Sequence, residues 1–264
     1  MARHEGRALF GHDAQGYDAA RLGYPAELYD AFEARTGGLA GQAVFEVGPG
    51  TGLVTRELVT RGVARLVAID PDVVLARELP SFVGGSAALS VVNAPFEDAK
   101  LIDASFDAGC AAASFHWVDI APSLVKVRAA LVPGGTWAMW WNSYRNPHHG
   151  DAFALAAMPL LAGIDFPPMQ TIDGHGSLDD QFWRTALTDA GFGKIDHVII
   201  RHERLVSAAA IRALYATYSF IGRLDADPRA RLLDAIETLA AREFGGTVPN
   251  VVLTSSYISS TDPR

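Results

Sequence analysis

The chain is short of several things, and each scarcity removes a class of function. Of its 264 residues a single one, Cys110, is a cysteine, so no internal disulfide can form and a reducing cytoplasm is the expected setting. Cys110 falls within an apolar, β-prone run, where a thiol is expected to be inert core. No apolar stretch is long enough to cross a bilayer: 152–164 is apolar but short, and Pro159 interrupts it. Met1-Ala2-Arg3-His4-Glu5 lacks the apolar centre of a signal peptide. The formal net charge is −8, and the 22 basic residues form no cluster. Neither a nucleic acid nor a membrane surface is therefore the expected partner. His148-His149 has no cysteine or carboxylate partner at ligand spacing, so no metal is expected. A hydrophobic fraction of 49% and a charged fraction of 20% suit one globular domain with an elaboration.

What the chain does have is Val44-Phe45-Glu46-Val47-Gly48-Pro49-Gly50-Thr51-Gly52. The apolar run 43–47 predicts a strand, the spaced glycines a turn, and 51–61 a helix. Glycines in such a turn let backbone approach a ligand where a Cβ would collide. The helix N-terminus adds unpaired N–H groups and the positive end of a dipole. A dinucleotide turn reads G-x-G-x-x-G. Here the third glycine comes one residue early, and Glu46 stands two positions before the first. A second strand, 65–70, ends in Asp70 and is stopped by Pro71. Asp70 lies twenty positions past Gly50, which puts a carboxylate at the strand tip, able to accept from ribose hydroxyls. It is equally well placed to cap the helix that opens at Pro71-Asp72. A third strand is expected at 88–92 and a fourth at 106–113, followed by Ser114-Phe115-His116-Trp117-Val118-Asp119. Then come a helix at 122–132, the corner Val132-Pro133-Gly134-Gly135 and a fifth strand at 136–141.

The E-x-G-x-G-x-G string resembles the S-adenosylmethionine (SAM) turn of Rossmann-like methyltransferases. With F-E-D, S-F-D, S-F-H-W-V-D, L-V-P-G-G and W-N, the first 142 residues resemble the small-molecule methyltransferases of the "methyltransferase type 11" group, on the side of trans-aconitate methyltransferase. The resemblance implies an α/β fold: a seven-stranded, mostly parallel Rossmann-like sheet with helices on both faces, an antiparallel hairpin at its C-terminal edge and helical cap insertions. It implies SAM as cofactor, held by Glu46, Gly48, Pro49, Gly50, Thr51, Gly52, Asp70 and Pro71, with Ser114 beside them. Adenine is expected in the turn after the third strand, with Phe96 over the ring and Glu97 near the exocyclic amine; Phe96 also reads as core. Tyr17, Arg21, Tyr24 and Pro25 resemble the Y-x-x-x-R-x-x-Y-P leader of the same family. That leader implies an arginine on the methionine carboxylate, for which a guanidinium fork is suited. The N-P-P-Y or D-P-P-Y segment of DNA amine methyltransferases is absent, as is the Pro-Cys of cytosine C5 enzymes.

One domain is expected overall, with a leader at 1–40, a SAM-binding core at 41–142 and a remainder at 143–264 carrying cap insertions at 142–178 and 205–246. Within the remainder the pattern predicts a helix at 177–190 capped by Ser177, a strand at 192–201, helices at 207–221 and 228–244, and a strand at 248–259. Methyl transfer from a sulfonium needs alignment above all. A base is needed only when the nucleophile arrives protonated. His116 is the candidate base or orienting donor. Trp117, Trp141, Asn142, Tyr144, Tyr215 and Tyr218 are candidates to line the acceptor, with core packing as the alternative. Tyr215 and Tyr218 are expected on one helix face. The expected reaction is transfer of a methyl group from SAM to a small organic acceptor at oxygen, carboxylate or hydroxyl. The alternatives are a non-catalytic SAM-binding protein and a nicotinamide oxidoreductase; the early third glycine and Glu46 count against the latter.

Overall fold

In a computed structural model, which describes residues 21–166, 170–171 and 174–262, the apolar run after Gln42 becomes β1 (Ala43–Val47). Parallel strands flank it on both sides. Its register runs from Ala43 opposite Arg65 to Val47 opposite Ile69 on β2 (Arg65–Asp70), and Glu46 lies opposite Cys110 on β4 (Phe106–Ala112). A strand with two parallel neighbours is covered on both faces, which is why it reads as an apolar run, broken only by Glu46, rather than an alternation. β3 (Leu89–Asn93) pairs with β2 and β5 (Leu131–Ser143) with β4, both in parallel. The Val132-Pro133-Gly134-Gly135 corner lies inside β5 as an irregularity, between the pairs Phe106–Leu131 and Ala108–Thr136.

Among the described residues seven strands form one sheet in the order β3-β2-β1-β4-β5-β9-β8, where β8 is Phe192–Ser207 and β9 is Thr247–Thr261. β6 (Gln170–Thr171) and β7 (Gly174–His175) make a separate antiparallel pair. β9 runs against β5: Ser259 Oγ donates to the Trp137 carbonyl and Thr261 Oγ1 to that of Val132. β8 runs against β9, as Ser256 Oγ donates to the Val198 carbonyl and Ala208 N–H to that of Gly246. The fold is therefore the expected Rossmann-like mixed sheet with an antiparallel C-terminal edge. The strand order reverses between β1 and β4. In open α/β sheets such a reversal leaves a crevice at the carboxyl ends of the two strands.

By its contacts the chain divides into two compact units, with the division falling within β5, β8 and β9. One holds Gly23–Trp141, Asp179–Val198 and 255–262; the other holds Asn142–Leu178 and Ile199–Thr254, with Arg21 and Leu22. In the first unit the helices are α1 (Ala26–Thr36), α2 (Leu53–Thr60), α3 (Val73–Phe82), α4 (Ile120–Ala130) and, before β8, a helix at Asp180–Asp189. Trp140 meets Tyr29 and Phe32 of α1 at ring distances of 6.0 and 5.9 Å, and Trp141 meets Trp183 of the Asp180–Asp189 helix at 4.9 Å. Successive strand residues face opposite ways, so these two helices cover opposite faces of the sheet. In the second unit Ala152–Ala157 is α5, which makes Asp180–Asp189 α6; α7 (Ala208–Ala216), α8 (Ser219–Gly222) and α9 (Ala226–Glu243) follow. They enclose a separate apolar core of Phe153, Ile211, Leu214, Tyr215, Phe220, Ile236 and Val252.

Two local expectations are corrected. The cap of α6 is Asp179, whose carboxylate accepts from Phe182 N–H at 3.0 Å; Ser177 lies in a preceding 3₁₀ turn. A carboxylate at the dipole's positive end does this job well. The helix expected over 207–221 is broken. Thr217 Oγ1 donates back to the Leu214 carbonyl at 2.6 Å, competing with the helical ladder, and Tyr218 takes an extended ψ of 128° as the cap of α8. Tyr215 therefore lies in the last turn of α7 and Tyr218 caps α8, although their rings still pack at 5.0 Å.

Gly109 on β4 supplies a test of the sheet core. A Cβ there would lie 2.3–2.8 Å from the ring of Phe45, which is fully buried and stacked on Trp137 at 5.8 Å. Gly109→Ala is expected to destabilise the protein by roughly 1–3 kcal/mol, measured as a lowered urea midpoint with unchanged slope.

Candidate cofactor and acceptor site

The turn after β1 makes its glycines do different things. Gly48, Gly50 and Gly52 all have positive φ, 68°, 57° and 81°, a region that side-chain-bearing residues avoid. A Cβ on Gly48 would stand 2.5 Å from that of Ser114, and one on Gly52 would strike Leu79 and Val83 at 2.8 and 2.9 Å. A Cβ on Gly50 would meet nothing within 4 Å. The outer glycines are thus demanded by the protein's own packing, and the middle one turns a bare backbone toward open space. Pro49, Thr51 and Gly52 are buried. Gly52 ends the turn by donating to the Pro49 carbonyl at 2.9 Å, and α2 begins at Leu53.

Asp70, at the tip of β2, is tied to this turn. Its Oδ2 accepts from Gly50 N–H at 3.1 Å and its Oδ1 from Asp72 N–H at 2.9 Å. Asp72, not Asp70, caps α3, accepting from Val74 and Leu75 N–H. A carboxylate oxygen accepts more than one donor, so Asp70 keeps capacity for ligand hydroxyls. Asn93, at the tip of β3, donates to the Asp70 carbonyl at 2.9 Å. Pro71, half-buried, joins Asp70 to the α3 cap. Burial raises the Asp70 carboxyl to about 6, against the lowering effect of its backbone bonds.

Glu46 is almost wholly enclosed and accepts from Thr55 Oγ1 of α2 at 2.7 Å. Desolvation pushes its carboxyl up to about 7; the Thr55 bond opposes this and nearby Asp70 adds to it. Two acids titrating near neutrality in one enclosed place favour a cationic ligand, which relieves the cost of their charge.

On the other side of the reversal, Ala113 has φ of 50°, strained for a residue with a side chain. Its N–H donates to the Trp140 carbonyl at 2.8 Å. The chain turns sharply there, and Ser114 Oγ donates to the Val47 carbonyl. A 3₁₀ turn, Phe115–Trp117, then carries His116. His116 Nδ1 accepts from the Trp141 indole N–H at 3.0 Å, and its ring lies 4.9 Å from Trp117. Phe96 is buried 6.4 Å from Phe115. Lys126 pins the turn around it, donating to the carbonyls of Phe96 at 2.6 Å and Glu97 at 3.0 Å. Glu97 Oε1 accepts from Asp119 N–H ahead of α4.

The remaining described candidates belong to the second unit. Arg21 donates to Thr217 Oγ1 at 2.9 Å, and its guanidinium lies over Tyr144 and Tyr218 at 4.9 and 5.2 Å. Asn142 donates to the Leu22 carbonyl and accepts from Thr254. The Tyr144 hydroxyl oxygen accepts from Leu22 N–H. Tyr215 is fully buried against Phe153. Tyr17 lies outside the described residues. Sequence reasoning missed Arg145, which is buried with its guanidinium 4.8 Å from the Phe220 ring and 5.4 Å from that of Tyr218. The Tyr218 hydroxyl is itself buried and bonds nothing among the described residues. A lone arginine in a loop carries no sequence signal. Thr55 was missed too, although its place nine residues after Glu46, in the first turn of α2, is legible once the glycine turn is known.

The raised Glu46 gives a pH signature of known sign. The ligand-free folded state holds a proton that the unfolded chain releases near pH 4.5. Stability from this group is thus full below about pH 4.5 and lost as pH rises through about 7. Glu46→Gln keeps an acceptor for Thr55 without the charge. It is expected to match the native protein near pH 4.5 and to exceed it above pH 7 by an amount on the order of 1–3 kcal/mol, read from urea unfolding at the two pH values.

Comparison with known proteins agrees with this geometry. Residues 45–139 match the family model described as a methyltransferase domain. An uncharacterized methyltransferase of Mycobacterium tuberculosis is 32% identical over 210 residues, covering 77% of this chain and 80% of that one. Among solved structures, the YcgJ protein of Bacillus subtilis superposes with a TM-score of 0.59 at 13% identity, covering 91% of this chain and all of the other. Phosphoethanolamine N-methyltransferase 2 of Haemonchus contortus, bound to S-adenosylhomocysteine and phosphomonomethylethanolamine, has a TM-score of 0.55 at 12% identity, with 98% of this chain and 60% of that one covered. The glycine turn, the braced acid after β2, the sheet order and these likenesses together show that the chain belongs to the class I SAM-dependent methyltransferases.

Proposed function

We propose that the protein transfers the methyl group of SAM to oxygen on a small organic acceptor, and that the acceptor group is a carboxylate. The observation that carries the cofactor part is the cup formed by Gly50 and Asp70. Gly50 presents bare backbone to open space, and Asp70 is braced by two N–H groups with acceptor capacity left. On this reading Asp70 takes the ribose hydroxyls and Glu46 lies near the ammonium. Gly48, Pro49, Thr51, Gly52, Pro71, Ser114, Phe96 and Glu97 complete the surround. When bound, SAM supplies an activated methyl on a sulfonium; the chain supplies alignment and excludes water.

The carboxylate preference is supported by the second unit. The Tyr218 hydroxyl is buried and without a partner among the described residues, and the guanidinium groups of Arg21 and Arg145 lie over the ring that carries it, 5.2 and 5.4 Å from its centroid. A buried phenol donor with positive charge over its ring is suited to an anion. With a net charge of −8 and no basic cluster, a small organic acid is favoured over a nucleic acid. No described helix is long and apolar enough to cross a membrane. Tyr144, Tyr215 and Asn142 then act through Tyr218 and the segment around Leu22. Within the first unit, Trp117, Trp141 and His116 are the residues assigned to the acceptor on this reading, with His116 as base or orienting donor.

Titration calorimetry tests the cofactor part. SAM and S-adenosylhomocysteine are expected to bind and NAD is not. Asp70→Ala is expected to weaken SAM by about tenfold or more, since each charge-assisted bond is worth roughly 1.5–3 kcal/mol; an unchanged dissociation constant in the folded variant removes Asp70 from the site. For the acceptor, labelled SAM with a panel of small carboxylic acids and phenols identifies what is methylated. Tyr218→Phe is expected to raise KM for that acid by roughly fivefold with SAM affinity unchanged. Methylation of phenols alone would overturn the carboxylate assignment.

A further inference from the structure

The bond between Trp141 and His116 has a chemical consequence. An indole N–H donates and never accepts. Its 3.0 Å contact to His116 Nδ1 therefore requires a lone pair on that nitrogen, and the proton of the neutral ring must sit on Nε2. Trp141 has no room to turn away: it is fully buried, with Trp183 at 4.9 Å on one side and Tyr257 at 6.5 Å on another. The Trp117 ring packs 4.9 Å from the imidazole. The imidazole is thus held in place and in one tautomer.

We propose that Trp141 is a positioning residue that fixes His116 as a hydrogen-bond donor through Nε2–H, so that His116 orients an acceptor which arrives already deprotonated rather than removing a proton from it. A ring whose Nδ1 lone pair is engaged and whose Nε2 carries the proton has no basic site to offer a phenol or alcohol. The Nε2–H is the donor that this proposal assigns to a carboxylate oxygen. This deepens the carboxylate reading above and rests on it. The step balances without a base. One carboxylate oxygen gives a lone pair to the methyl carbon, the carbon–sulfur bond breaks with its pair going to sulfur, and an ester and a neutral thioether result. No proton moves, and the opposite charges of carboxylate and sulfonium cancel. Phe115, Trp117 and Trp141, the chain neighbours and hydrogen-bond donor of His116, are all buried, and apolar surroundings favour such a cancellation.

Nitrogen NMR on histidine- and tryptophan-labelled protein, with S-adenosylhomocysteine bound, reads the tautomer directly, and His116→Gln identifies the signals by subtraction. An unprotonated-type Nδ1 resonance is expected, with a scalar coupling across the bond to the Trp141 indole nitrogen. Trp141→Phe is expected to abolish the coupling and shift the two ring nitrogens toward a tautomer mixture. A protonated Nδ1 in the native protein overturns the proposal, whether or not the Trp141 variant folds.

The activity arm uses labelled SAM with the same panel of acids and phenols. Glutamine places an N–H donor near the position of Nε2 and cannot act as a base, so His116→Gln is expected to keep kcat within about tenfold while His116→Ala falls further. Removal of a true base costs roughly 10²–10⁴-fold. Glutamine and alanine variants equally depressed by that amount would overturn the donor role. A failure of the carboxylate reading shows itself differently: phenols are methylated while the tautomer and the coupling stand.

Discussion

Gly48 and Ser114 stand so close that a Cβ on the glycine would lie 2.5 Å from that of the serine. The rest of the site depends on this approach. It joins the ends of β1 and β4, the two strands between which the sheet order reverses, and Ser114 Oγ fixes it by donating to the Val47 carbonyl. To reach that position the chain passes through Ala113 in a left-handed conformation. The strain of such a residue, of order 1–3 kcal/mol, persists only where its surroundings over-determine it. Here the Trp140 carbonyl holds its N–H and Ser114 holds the next turn. The outcome is a glycine turn and a histidine-bearing turn brought together at the carboxyl ends of two parallel strands, where open α/β sheets bind their ligands.

The same closeness explains the electrostatics. Glu46 lies one strand position before Val47, under the turn, and meets Thr55 in place of water. Asp70 is held by the backbone of the very turn it faces. Both carboxyls are raised toward neutrality, chiefly by loss of hydration. A folded protein that keeps two acids in this condition stores a preference for positive charge and accepts a stability cost for it. On the function proposed above, a sulfonium cofactor with an ammonium end answers that preference. The second unit has the reverse character: two guanidinium groups lie over the ring of a buried tyrosine. Each unit thus has its own buried polar feature and its own apolar core.

Much of the fold was readable in the sequence because it follows from period and punctuation. The strand before Gly48, the acid ending β2 and the glycines are local signals, and each holds to within one or two residues in the structure. The opposite facing of Trp140 and Trp141 follows from strand alternation alone. The failures were also local in origin. Ser177 looked like a cap, yet Asp179 two residues later serves. The helical pattern through Tyr215 and Tyr218 was real, but the Thr217 hydroxyl interrupts its ladder. No periodicity reports such a side-chain bond.

The sequence by itself therefore determined the class: which runs become strands, where backbone must bend the way only glycine bends easily, and which carboxylate stands at a strand tip. These depend on neighbours along the chain. Tertiary structure alone decided which polar groups meet. Thr55 reaches Glu46, Trp141 donates to His116 across 25 positions, and Arg21 finds Thr217 across 196. A hydrogen bond needs its two atoms within about 3 Å and aligned, and that proximity is set by how strands stack and helices pack. The tautomer of a histidine and the charge of a buried acid belong to this second kind of information, because both are properties of surroundings that the chain assembles only when it folds.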